Sequence, residues 1–128
     1  MAKRIDVQQK LPMGELEARV MDVLWDRDGW LSPGEVHNVL DKRRPLAYTT
    51  VMTILVRLWQ KQRLERQRDG RAYVYRPLQS REEYAAIRMS ELLVGVADRP
   101  AALARFLKTL PATDRDQLRR MLRSEART

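Results

Sequence analysis

One stretch of this chain reads against helix. In "LERQRDGRAYVYRP", residues 64–77, Asp69-Gly70 is a two-residue turn signal between a short polar strand and Ala-Tyr-Val-Tyr, a run of strand formers. It predicts an antiparallel hairpin. The other periodic segments carry apolar residues at helical spacing, so the chain should be mainly α with one small β-hairpin. What constrains the architecture is the order: which helices come before the hairpin, and how each begins and ends.

Residues 14–25 (GELEARVMDVLW) place Leu16, Val20, Val23 and Leu24 on one helical face. DRDG breaks this helix, and Trp30-Leu31 can form a very short strand. Ser32-Pro33-Gly34-Glu35 then combines a serine cap, a proline at the first helical position and a glutamate three residues after the cap, which is a capping box. The second helix buries Val36, Val39 and Leu40 and runs to the basic cluster Lys42, Arg43 and Arg44, where Pro45 stops it. His37, the single histidine, lies among its face residues and reads as a surface or boundary side chain.

A third helix is expected from about Tyr48 to Gln62, with a weak start because Ala47 offers no side-chain oxygen. Val51, Ile54, Leu55 and Leu58 share one face, with Trp59 at its edge. Opposite lie Thr49, Thr53, Val56 and Gln60, flanked by Thr50 and Arg57. Branched residues are mediocre helix formers, and this outer face lacks the Glu/Lys pairs of a solvated helix. Short side chains suit close approach to base edges: hydroxyls can exchange hydrogen bonds with bases and phosphates, and methyls can meet the thymine methyl. An ordinary tolerated face is the competing reading.

The 128 residues carry a net charge of +8, which favours a polyanionic partner. Residues 61–76 hold six basic side chains against Glu65 and Asp69, and four of these are the hairpin arginines Arg66, Arg68, Arg71 and Arg76. Three helices followed by a two-stranded basic ribbon is the order of a winged helix-turn-helix, whose third helix enters the major groove. The expected domain spans 1–77, with 1–12 a loose basic end (Lys3, Arg4, Lys10). Residues 78–128 form a helical remainder.

The chain resembles the penicillinase and methicillin-resistance repressors over about residues 13–123. The likeness rests on "GELEARVMDVLW", on "AYTTVMTILVRLWQKQRLERQRDGRAYVYRP", and on three helical segments that follow at similar spacing. It implies a homodimeric winged-helix repressor of palindromic promoter DNA. Tyr48, Thr49, Thr50, Thr53 and Arg57 would lie on its recognition helix, with the wing around 68–71. It also implies inactivation by a protease within the C-terminal region. The matching cut falls at Arg105-Phe106, where this chain has arginine in place of the family's asparagine. Copper-responsive relatives carry a cysteine-rich metal hook, and this chain has no cysteine.

In 78–128, Ser80-Arg81-Glu82-Glu83 is a second capping box. It opens a helix with Ala85, Met89, Leu92, Leu93 and Val96 as its stripe. Asp98 caps a second helix carrying Leu103, Phe106, Leu107 and Leu110, which Pro111 closes. Thr113 is the expected cap of a third, with Leu118, Met121 and Leu122. Three short amphipathic helices bury too little alone. Pairing with the same helices of a second chain gives an isologous interface. Folding back on the chain's own winged helix is the alternative.

No apolar run reaches the roughly 18–20 residues of a membrane span, and MAKRIDVQQK lacks a signal-peptide core, so a cytoplasmic protein is expected. Neither a Ser/His or Cys/His pair, a carboxylate pair nor a Gly-rich phosphate loop stands out, and an enzyme or a resident cofactor is not expected. Two rival readings stay open: a winged helix for RNA or protein, and a regulator released from DNA by a small molecule.

Overall fold

The computed structural model describes residues 13–40 and 42–127; the expectation for the basic end at 1–12 lies outside them. The chain divides into two compact units, the first ending at Ala85 and the second running from Ala86.

In the first unit, α1 (Met13–Arg27) turns Val20, Met21, Val23 and Leu24 inward. It ends where Asp28 and Gly29 adopt positive φ, 44° and 112°. The short strand expected at Trp30-Leu31 is one residue long: Leu31 exchanges backbone hydrogen bonds with Tyr75 at 2.8 and 2.9 Å. The Ser32 capping box is complete, with Ser32 Oγ accepting from the Glu35 N–H and Glu35 Oε1 accepting from the Ser32 N–H. It opens α2 (Pro33–Val39), which stops short of the basic cluster. Leu40 leaves helical geometry (φ −57°, ψ 147°), and its side chain is in the core.

The third helix, α3 (Tyr48–Gln60), buries Val51, Ile54, Leu55 and Leu58 completely. Its end is tighter than the expected Gln62. Gln62 takes φ 63°, the Gln62 N–H donates to the Trp59 carbonyl, and the Arg63 N–H donates to the Leu58 carbonyl. This is a Schellman stop built without glycine. Strands β1 (Leu64–Asp69) and β2 (Ala72–Pro77) pair from Leu64↔Pro77 to Asp69↔Ala72. The turn is therefore Gly70-Arg71, one residue beyond the expected Asp69-Gly70. Gly70 alone of the pair has positive φ (67°), the type II′ pattern, which wants glycine first.

Glu17 is the buried charge of this core, 2% exposed, and Lys61 at the end of α3 contacts both its oxygens at 3.0 and 3.3 Å. The helix α4 (Arg81–Val94) begins with the second capping box, Ser80 with Glu83. Its first turn is held to α1. Tyr84 meets Trp25 edge-on at 5.3 Å, the Trp25 indole donates to the Gln79 carbonyl, and Arg81 bridges Asp22 and Asp26.

In the second unit, α4 is followed by α5 (Arg99–Thr109), capped by Asp98, and α6 (Ala112–Arg127). Val96 lies past the end of α4 and so off its stripe. Thr113 is not a cap but sits inside the first turn of α6: the Pro111 carbonyl already accepts from Asp114 and Arg115. Among the described residues from Ala86 onward, none is buried.

Hydrogen bonds from Ser32, its backbone N–H first and then its hydroxyl, hold the Glu35 carboxyl below its ordinary pKa; Ser80 does the same for Glu83. A depressed folded pKa stabilises fully above the unfolded carboxyl's value, about 4.3, and that contribution is lost as pH falls through the lower folded value. Glu35→Ala should therefore lower the melting temperature at neutral pH. The gap to the parent protein should shrink below about pH 4.

Candidate nucleic-acid interface

The complete burial of one α3 face dictates what the other presents. Thr49, Thr53, Arg57 and Gln60 are exposed, while Thr50 and Val56 are half-buried at its margins. Tyr48 is 45% exposed at the start of the helix. These side chains form one continuous outer surface, as the helical spacing requires.

Two details refine that surface. Thr53 Oγ1 donates to the Thr49 carbonyl at 3.0 Å, so its hydroxyl hydrogen is used within the helix. Met52, which the sequence reading passed over, is 41% exposed on the flank of the same face. Its signal was available: it lies three residues after Thr49 and four before Val56.

The entry to α3 is held from outside the helix. Ala47 provides no side-chain cap, which leaves the first amides of the helix without a side-chain acceptor from that residue. The preceding loop is fixed instead: His37 Nε2 donates to the Leu46 carbonyl at 2.9 Å, and its ring meets Tyr48 edge-on at 5.9 Å. The Arg19 guanidinium donates to the Arg44 carbonyl. His37 is a half-buried boundary residue, and here it ties α2 to the start of α3.

The four hairpin arginines separate by what holds them. Arg76 pairs with Glu65 at 3.0 Å, directly across the ladder, and lies over Trp30. Arg66 is stacked between two rings, 3.5 Å from the Trp59 centroid and 3.8 Å from that of Tyr73. This sandwich joins the end of α3 to both strands of the hairpin. Arg68 lies at 5.4 Å from Tyr73 and Arg71 sits at the hairpin tip, both exposed. Sequence alone could not separate these roles, because Trp59, Arg66 and Tyr73 meet only in the folded chain.

In the second unit, α4 and α5 bring Met89, Leu92, Leu93, Leu103 and Phe106 together with Ala102 around an apolar cleft of about 220 Å³. Leu107, Met121 and Leu122 are exposed, and Leu110 and Leu118 are half-buried. Arg105 is exposed on α5 beside Phe106.

If the Arg66 sandwich couples α3 to the hairpin, Trp59→Leu and Arg66→Met should not be additive. A double-mutant cycle followed by urea unfolding should return a coupling of about 0.5–1 kcal/mol, the range for a partly exposed cation–π contact.

The penicillinase repressor family profile matches residues 13–124. The transcriptional regulator BlaI of Mycobacterium tuberculosis is 43% identical over 113 residues, 86% of this chain and 82% of that protein. The penicillinase repressor of Bacillus licheniformis is 29% identical over 86 residues, 66% of each chain. The solved CopR repressor structure shares 34% identity across 48% of this chain and 88% of its own, with a TM-score of 0.42. With a profile match over most of its length and a relative this similar, the chain belongs to the penicillinase repressor family.

Proposed function

We propose that the chain is a transcriptional repressor that binds palindromic operator DNA as a homodimer. The observation that carries the DNA-binding half is the outer face of α3, exposed, uncharged except at Arg57, and joined through Arg66 to a hairpin bearing Arg68 and Arg71. In this reading α3 enters the major groove with Tyr48, Thr49, Thr50, Thr53 and Val56 toward the base edges. Arg57, Arg68 and Arg71 hold phosphates, while Arg66 supports the wing with its faces occupied by rings. The uncapped amides at the start of α3 suit a phosphate as well.

The dimeric half rests on the second unit. Its apolar stripes are solvent-exposed, including Leu92 at 72% and Leu122 at 68%, an arrangement that calls for a covering partner. A second copy covers Met89, Leu92, Leu93, Val96, Leu103, Phe106, Leu107, Leu110, Leu118, Met121 and Leu122 through an isologous interface. Two-fold symmetry then requires a palindromic operator. The bound dimer represses by excluding polymerase. The family resemblance suggests relief by proteolysis near Arg105-Phe106, where this chain has arginine in place of the family's asparagine; both residues lie within α5, so cutting requires local opening of that helix.

The apolar cleft between α4 and α5 favours a second reading, release by a small apolar ligand. At about 220 Å³ it is smaller than the ~300–1,000 Å³ of ordinary ligand sites. A melting-temperature screen against small molecules tests that reading.

Selection from a randomised duplex pool at moderate salt should return a palindrome, and Thr53→Asp should weaken binding to it. Sequence-blind binding, or an equal preference for RNA, would sink the proposal. On the selected operator, Arg68→Ala and Arg71→Ala should each reduce the log–log salt slope by about 0.9 per phosphate and dimer half, whereas Arg66→Met should leave it unchanged. Separately, Leu92→Glu with Phe106→Glu should convert the dimer to monomer in sedimentation equilibrium. A parent protein that is monomeric at tens of micromolar would refute the dimer.

A further inference from the structure

Met52 is no part of the core cluster. It is 41% exposed on a helix whose inner face is fully buried, and a thioether left in water forfeits the burial that would justify it. At 100° per residue it lies about 60° from Thr49, on the side away from Arg57. Val56 follows one turn later on the same side, while Thr53 lies between Thr49 and Arg57.

The polar character of the face is weaker than the sequence suggests. Thr53 already donates its hydroxyl hydrogen to the Thr49 carbonyl at 3.0 Å, so toward a ligand it offers a methyl group and a lone pair. Val56 offers methyls and Met52 a flexible, polarisable chain. The helix's own donor, Arg57, lies on the opposite flank, and the hairpin supplies Arg68 and Arg71. On the helix itself, Met52 and Val56 form an apolar edge opposite Arg57. The cations select a polyanion over a protein partner, and within the major groove the apolar group of a base pair is the 5-methyl of thymine.

We infer that Met52, with Val56, reads thymine 5-methyl groups in the operator, and that Met52 is a specificity-determining residue. The inference rests on the DNA-binding reading above. Methionine suits this task because its unbranched chain adapts to a methyl whose position shifts with local groove geometry. As Met52 is exposed, replacing it removes no core packing.

The test uses the full-length protein and the operator recovered by selection. Each thymine of a half-site is replaced in turn by deoxyuridine, which deletes the methyl and keeps the pairing edge, and affinity is followed by fluorescence anisotropy. At one or two positions per half-site, the parent protein should lose about fourfold for each methyl removed, the worth of one buried methyl-sized group. Met52→Ala should bind the thymine operator more weakly and be indifferent to deoxyuridine at that position, while Met52→Leu should keep the discrimination. Indifference of the parent protein to every replacement, equal sensitivity in Met52→Ala, or half-sites without thymine would overturn the inference and leave operator binding intact. Failure to select any motif would overturn operator binding itself, and this inference with it.

Discussion

Burial of the inner face of α3 is the constraint on which the first unit depends. Val51, Ile54, Leu55 and Leu58 are fully inaccessible, and a helix with four such positions has no freedom to rotate about its axis. Fixing the inner face therefore fixes the outer one, including Thr49, Thr53, Val56 and the exposed Met52. Leu24, Val36, Leu64 and Tyr75 belong to the same core cluster, so α1, α2 and the hairpin all orient the surface that α3 presents. A face suited to reading bases is thus a consequence of packing on its far side.

Electrostatics then divides the basic residues into those the fold uses and those it leaves for a partner. Lys61 is spent on buried Glu17, Arg76 on Glu65, and Arg81 on Asp22 and Asp26. Arg66 is held by ring faces, where a planar, weakly hydrated guanidinium stacks better than an ammonium would. Net positive charge alone says that a polyanion will be attracted. The partition among these side chains leaves Arg57, Arg68 and Arg71 exposed. It also explains how a two-stranded ribbon, marginal by itself, keeps a defined position against α3.

The second unit follows a different logic. Three amphipathic helices expose their stripes, and from Ala86 onward none of the described residues is buried. An apolar surface of that kind is tolerable when association removes it from water. The first unit, by contrast, has a complete core within its own chain. In α4 the first turn is anchored to α1 by Trp25, Tyr84 and Arg81, and Met89 and Leu92 on its later turns are exposed.

Much of this protein was determined by local sequence. Both capping boxes, the buried stripe of α3, the Asp98 cap and the hairpin were legible, because each depends on residues within a few positions of one another. The misreadings were also local: the turn moved by one residue to Gly70-Arg71, and the end of α2 at Val39 and the start of α6 at Ala112 moved by a few residues. There the geometry of a single φ or a competing carbonyl outweighed side-chain preference. What only tertiary structure decided were relations between distant residues: Glu17 with Lys61, His37 with the Leu46 carbonyl, and Arg66 between Trp59 and Tyr73. The physical reason is that periodicity records which face of an element is apolar. Which arginine is held by a ring or a carboxylate, and which remains open to DNA, depends on what the folded chain brings within a few ångströms of it.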